Sequence, residues 1–234
     1  MLTVPAAVTI DEAFDAFLAE QRKRLSPRTF RNYEDVVQLF RDSLNSYAYD
    51  SLGKSEQKRW GTAFDAGDEE AYCHLFGPEK IVDHLGEFLG WFMVRKVMAG
   101  EELLRASGTV TKKLAAWLHE QGHVTDEQRE AATGRGAEAA RDLPSADRLG
   151  SLLHDEMQKT PRFDVDDIPE EHWIEDFLAI ERVARGKLWF EGGIGPVAVS
   201  KGASDLAQVG WGVNVVLAQW RGRWYIVELG FVYP

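Results

Sequence analysis

The stretch "HEQGH" at residues 119–123 has the spacing H-E-x-x-H. On a continuous helix this pattern lets two imidazoles one turn apart share a zinc ion, with the glutamate between them acting as a base. The helix must run through both histidines for that chemistry. Here Gly122 stands in the turn between them and the apolar repeat ends at Leu118, so His123 is expected beyond the helix end. The extended motif asks for glycine at 126 and histidine at 129, where the chain has Asp126 and Arg129. Glu138 is the nearest substitute for a third ligand, in a segment where glutamates are plentiful. The match therefore reads as accidental, with His119 a polar residue near the negative end of a helix dipole. No metal and no other cofactor is expected, and a zinc metallopeptidase is kept only as a remote alternative.

Other reactive side chains lack partners at useful spacing. Tyr225 and Tyr233 have no neighbouring group to activate them as nucleophiles. Cys73 stands alone, which excludes an internal disulfide and fits a reducing compartment. His74, His84, His154 and His172 are scattered. "EGGIGP" joins strand to strand without the helix a phosphate cradle requires, and "DVDDIPEE" lacks the ordered spacing of a calcium loop. No catalytic residue is assigned, and the chain is not expected to be an enzyme. What does cluster is positive charge: Arg22, Lys23, Arg24, Arg28 and Arg31 within ten residues, with Glu20 and Glu34 beside them, and later the pair Lys112 and Lys113. Such groups at a helix start can neutralise phosphates, or they can be an ordinary solvated face.

The elements that position these residues are mostly helical. Thr9 and Glu12 have capping-box spacing before Phe14, Phe17 and Leu18. Ser26 and Pro27 mark a second helix start, followed by Phe30, Tyr33, Val37, Phe40 and Leu44 at three- and four-residue spacing. Residues 54–76 read as further helix interrupted near Gly61 and "DAGD". "GPEKIVDHLGEFLGWFMVRKVMAG" is apolar all round, the mark of a buried helix. "SGTVTKKLAAWLHEQGHV" turns Val110, Leu114, Trp117 and Leu118 inward, puts Lys112 and Lys113 on its outer side, and stops at Gly122.

From 126 the glycines at 134 and 136 and Pro144 suggest two modest helices, then a charged linker at "DVDDIPEEH". The ending changes period: "GKLWF", "GPVAVS", "GVNVVLAQW" and "RWYIVELGFVYP" are strand-like, with a hairpin at Arg221-Gly222. Simple alternation puts Trp220 and Trp224 on one face, where core packing is preferred over stacking on single-stranded bases or gripping a peptide. The fold class expected is α+β: an all-α bundle over 1–125, an acidic helical linker over 126–175, and a small SH3-like or OB-like β-barrel over 176–234.

Two stretches carry a family resemblance. "AFDAFLAEQRKRLSPRTFRNYEDVVQLFRDSL", with Ser26, Thr29 and Tyr33 as S-x-x-T-x-x-x-Y, resembles the opening of the N-terminal core-binding (SAM-like) domain of tyrosine recombinases of the phage-integrase type. "GTVTKKLAAWLHEQGHV" resembles its closing helix. The resemblance implies a helical clamp on duplex DNA. Contacts would then come from Arg22, Lys23, Arg24, Arg28, Thr29, Arg31, Lys112 and Lys113. It does not extend to the recombinase catalytic domain: no histidine is followed three residues later by arginine, and the β-rich tail is too short to hold that domain.

Net charge is −11, but it is unevenly placed: −4 over residues 1–125, −10 over 126–181 and +3 over 182–234. With 44% hydrophobic and 28% charged residues the composition is that of a globular protein. The apolar run "FLGWFMV" is far too short for a bilayer, and the opening "MLTVPAAVTIDEAF" lacks a basic signal-peptide start. A cytoplasmic protein without membrane contact is expected. The first functional expectation is a non-catalytic DNA-binding protein with double-stranded DNA as partner. The second is an adaptor that keeps the fold without DNA and meets a protein partner through its barrel, since strong negative charge repels a phosphate backbone at long range.

Overall fold

The computed structural model describes residues 8–164 and 168–234; the first seven residues, and 165–167 of the charged linker, lie outside them. Two compact units form, one from residues up to 93 together with 102–140, the other from 94–101 together with 141–234. No helix among the described residues is long and apolar enough to cross a membrane.

The helical unit begins with α1 (Ile10–Arg22), whose capping box is complete: Glu12 N donates to Thr9 Oγ1 at 3.2 Å and Thr9 N to Glu12 Oε2 at 2.9 Å. α2 (Pro27–Tyr47) starts from Ser26, whose Oγ accepts Thr29 N at 3.3 Å. The buried faces of both helices meet through rings. Phe14 lies 5.8 Å from Phe40, Phe17 6.0 Å from Tyr33, and Phe40 4.4 Å from Phe88. α3 (Lys54–Asp65) runs unbroken through the half-buried Gly61. The interruption comes only at "DAGD", where Gly67 takes φ +98°, before α4 (Ala71–Leu75).

The stretch expected as one buried helix is instead a composite: a 3₁₀ run Pro78–His84, α5 (Leu85–Glu87), a π turn Phe88–Phe92 and α6 (Met93–Arg95). Burial is as expected, with Leu85, Phe88, Leu89, Phe92 and Met93 all inside. The wider turn also brings Trp91 and Phe92 both onto Tyr47, at 4.8 and 5.9 Å.

α7 (Glu101–Glu120) buries Val110, Leu114, Trp117 and Leu118 and ends in a Schellman motif. Gly122, at φ +77°, donates to His119 O at 2.9 Å, and His123 N reaches back to Leu118 O at 2.9 Å.

α8 (Asp126–Met157) departs from the expectation of two modest helices: it is a single helix with Pro144 inside. Two physical reasons account for this. Gly136 and Gly108 are where α7 and α8 touch backbone to backbone, so glycine serves close approach rather than a break. A Cβ at Gly108 would lie 2.2 Å from Ala140 N, and one at Gly136 2.7 Å from Gly108 O. Beyond Pro144, burial of Ala146, Leu149 and Leu153 in the barrel core holds the helix despite the missing N–H. The passage from one unit to the other falls between Ala140 and Arg141, and Ala140 carries the carbonyl that Pro144 leaves without a helical donor.

The second unit is a closed barrel of five strands in the order β1-β2-β3-β5-β4, from β1 (Trp173–Ala184), β2 (Lys187–Phe190), β3 (Ile194–Ala198), β4 (Gly212–Trp220) and β5 (Arg223–Tyr233). α9 (Lys201–Leu206) connects β3 to β4. Neighbours are antiparallel except β3 and β5, which close the barrel in parallel through Val197 and Trp224. Leu178, Ile180, Leu188, Phe190, Val213 and Leu217 fill the interior with residues of α8.

The hairpin at Arg221-Gly222 forms with both residues at positive φ, +50° and +73°. Its two-residue loop pairs Trp220 with Arg223 and Gln219 with Trp224. Trp224 therefore faces opposite to Trp220, correcting the single-face expectation, because counting four residues along the chain ignores the turn. Trp211 and Trp224 belong to the core, whereas Trp220 contacts Phe163 and Tyr225 at 5.7 and 6.4 Å.

Candidate nucleic-acid interface

The basic residues expected to meet DNA lie where α1 ends and α2 begins. Lys23 caps α1, and Arg24 and Leu25 N–H groups close the turn onto Gln21 O, each at 3.0 Å. α2 carries no acidic residue in its first turn, which leaves its positive end uncompensated from within. A notch of about 340 Å³ opens there, lined by Arg22, Leu25, Pro27, Phe30, Arg31 and Glu34. Arg22 spreads over the Phe30 ring at 5.1 Å and is 3.9 Å from Glu34, with its side chain 74% exposed.

The remaining candidates separate by their partners. Arg24 is held by Gln21 at 3.0 Å and stands 3.7 Å from Glu20. Arg28 donates to Glu102 Oε2 at 2.9 Å, and Asn32 reaches Glu102 Oε1 at 3.3 Å. That hydrogen bond, reinforced by charge, raises Arg28 above its ordinary pKa and lowers the Glu102 carboxyl. Thr29 serves the cap, its Oγ1 2.9 Å from Ser26 Oγ. Among the described residues Lys23 and Arg31 have no carboxylate partner within reach.

Lys112 is half-buried where α7 meets α8, close to Gly136, which corrects its placement on the outer side; the neighbouring crossing was invisible to a single-helix count. Lys113 is exposed. Helix geometry puts Lys113 about 16 Å along the same stripe as Glu102, the partner of Arg28. The corner thus gathers Arg22, Lys23, Arg31 and an engaged Arg28, with Lys113 further along. Lys112 sits at the crossing of α7 and α8, and Thr29 at the cap of α2.

The two histidines of HEQGH do not share a helix face, since the left-handed Gly122 lies between them. His119 Nε2 is 3.2 Å from Asp126 Oδ1, and the His123 ring lies 6.5 Å from that of Trp117. Among the described residues no three His, Cys, Asp or Glu side chains come together to hold a metal.

A buried polar cluster has no signature of spacing in the sequence, since its members come from residues 51, 72, 84 and 87. His84 Nε2 is 2.9 Å from Tyr72 Oη and 3.3 Å from Ser51 Oγ, and Glu87 Oε2 is 3.7 Å from Nδ1. Superficially this is a serine, a histidine and a carboxylate. Ser51, however, directs its proton to Ala48 O at 2.7 Å, and the Tyr72 hydroxyl stands closer to Nε2 than Ser51 does. Ser51 therefore has no base. Burial lowers the His84 pKa against the pull of Glu87 and raises that of Tyr72, and the cluster braces the 3₁₀ run against α4.

No family model, curated protein or solved structure matches the chain.

Proposed function

We propose that this protein binds double-stranded DNA without catalysing a reaction on it, through the corner between α1 and α2. The observation that carries the reading is the notch: Arg22 and Arg31 converge on one concavity at the start of a long helix that has no acidic residue in its first turn. Two guanidinium groups facing one concavity suit a phosphate. Lys23 and Arg28 flank it, and Glu102 tempers Arg28. Affinity of this kind is electrostatic and falls steeply with salt.

The test is anisotropy of a labelled duplex titrated with the full chain at several salt concentrations. Arg22→Glu with Arg31→Glu should weaken binding and reduce the salt slope by about two units, one per lost phosphate contact. Unchanged affinity in a folded double variant would sink the reading.

A different observation favours protein docking through the barrel. Glu175, Asp176 and Glu228 surround a groove of about 510 Å³ that also presents Phe177, Val216 and Leu229. Phe177 is an exposed aromatic there, and charge complementarity would select a basic segment. Capture of a partner that survives Glu175→Lys with Glu228→Lys would count against this groove.

A further inference from the structure

The opposite electrostatic character occurs elsewhere on the same barrel. Leu188, Val197 and Ile226 face the core, so alternation turns Lys187, Pro196, Ala198, Arg223 and Tyr225 outward. Lys187 pairs with Ala198 on β3, and Val197 with Trp224 on β5. At one level the outer surface therefore reads Lys187, Ala198, Tyr225, with Arg223 beside Pro196. Lys187 and Tyr225 stand two strand spacings apart, about 10 Å, across the small side chain of Ala198.

The chain leaving α8 walls this surface, fixed where Thr160 Oγ1 donates to Ile226 O at 2.7 Å. The result is a groove of about 470 Å³ lined by Lys159, Lys187, Arg223 and Tyr225 among others. Lys159 is paired with Glu156 at 2.9 Å. Among the described residues Lys187 and Arg223 have no carboxylate partner.

Beside the cations lies an aromatic set outside the core. Tyr225 is 6.3 Å from Phe163 and 6.4 Å from Trp220, and Arg221 lies over the Trp220 ring at 4.2 Å. We propose that this groove binds single-stranded nucleic acid, with Lys187 and Arg223 on the phosphates and a base stacked against Tyr225. An unpaired strand presents both groups at once, a π face and a phosphate, and the duplex proposed for the corner of α1 and α2 hides its bases. An extended peptide is the poorer fit, because strand addition needs an open sheet edge and this sheet is closed. The inference goes beyond the duplex reading and stands independently of it.

The experiment titrates a labelled oligothymidylate, and separately a labelled duplex, with the full chain and with folded variants verified by circular dichroism. Lys187→Glu with Arg223→Glu should weaken single-strand binding at least about tenfold and leave the duplex unaffected. Tyr225→Ala should weaken it about tenfold, while Tyr225→Phe, which keeps the ring, should not. Polyglutamate, a polyanion without bases, should displace the strand poorly. Equal displacement by polyglutamate, or no effect of Tyr225→Ala, would reduce the groove to a generic anion patch and overturn the proposal. Failure of the strand to bind even at low salt would overturn it too, as would loss of binding only in the Arg22→Glu, Arg31→Glu protein. Duplex failure with single-strand binding intact would sink the corner reading and leave the groove standing.

Discussion

Gly108→Ala should be the most damaging small substitution in the helical unit. The added methyl would sit 2.2 Å from Ala140 N, 2.4 Å from Gly136 O and 2.8 Å from Ala140 Cα. All three are backbone atoms, so no side chain can swing aside. To reach ordinary contact α7 and α8 would have to part by about 1 Å, in an interior packed as tightly as a crystal. Overpacking of this kind costs about 3 kcal/mol, and the better helix propensity of alanine returns about 1 kcal/mol. The net loss is about 2 kcal/mol, or about 4–8 °C in Tm for a chain of this size. Gly134→Ala is the matched control, on the facing helix α8 with nothing within 4 Å of its Cβ position; it should gain about 1 kcal/mol. Thermal and urea unfolding followed by far-ultraviolet circular dichroism would read both. A neutral or stabilising Gly108→Ala would refute the close crossing, and so would two shifts of the same sign.

His84 makes acid stability a sharper test than usual. Its folded pKa lies below the ordinary 6.5 because it is buried, so the unfolded chain takes up the proton first. Its contribution is therefore complete above about 6.5 and is lost as pH falls below that toward the folded value. Urea stability should drop as pH falls below about 6.5, with a gentler slope in His84→Gln; equal slopes would remove His84 as the cause. Cys73 is buried, and burial pushes its thiol up to about 12, so a thiol reagent should label it only as the helical unit opens; prompt labelling of the folded protein would contradict the placement. Glu102→Gln should free Arg28 and tighten duplex binding while leaving Tm nearly unchanged, and weaker binding would mean that Glu102 helps to place Arg28 for phosphate.

What was legible in the sequence is what short-range hydrogen bonds decide. Thr9 with Glu12, Ser26 with Pro27, Gly122, and the Arg221-Gly222 turn each act within about six residues, and all four appear as read. The misreadings arise where distant packing overrides a local signal. Gly136 and Pro144 look like breakers until α7 and the barrel core are pressed against them. The pairing of Arg28 with Glu102 spans 74 residues and leaves no periodic trace. Linear alternation puts Trp220 and Trp224 on one face, but the two-residue turn reverses strand parity, which a linear count does not register. For the same reason the basic corner could be named from its composition, but the sharing of one notch by Arg22 and Arg31 could not.

The two compact units are interleaved along the chain, which passes between them at 93–94, at 101–102 and again at 140–141. Each unit is therefore written in two separate passages of sequence. A single genetic crossover, wherever it falls, cannot deliver one unit whole while leaving the other intact, so the pair must be inherited together or be rejoined at more than one point. The short return passage 94–101 carries Arg95, which rests on the Phe231 ring of the barrel unit at 5.8 Å, and a gene fragment beginning after it would lack that contact.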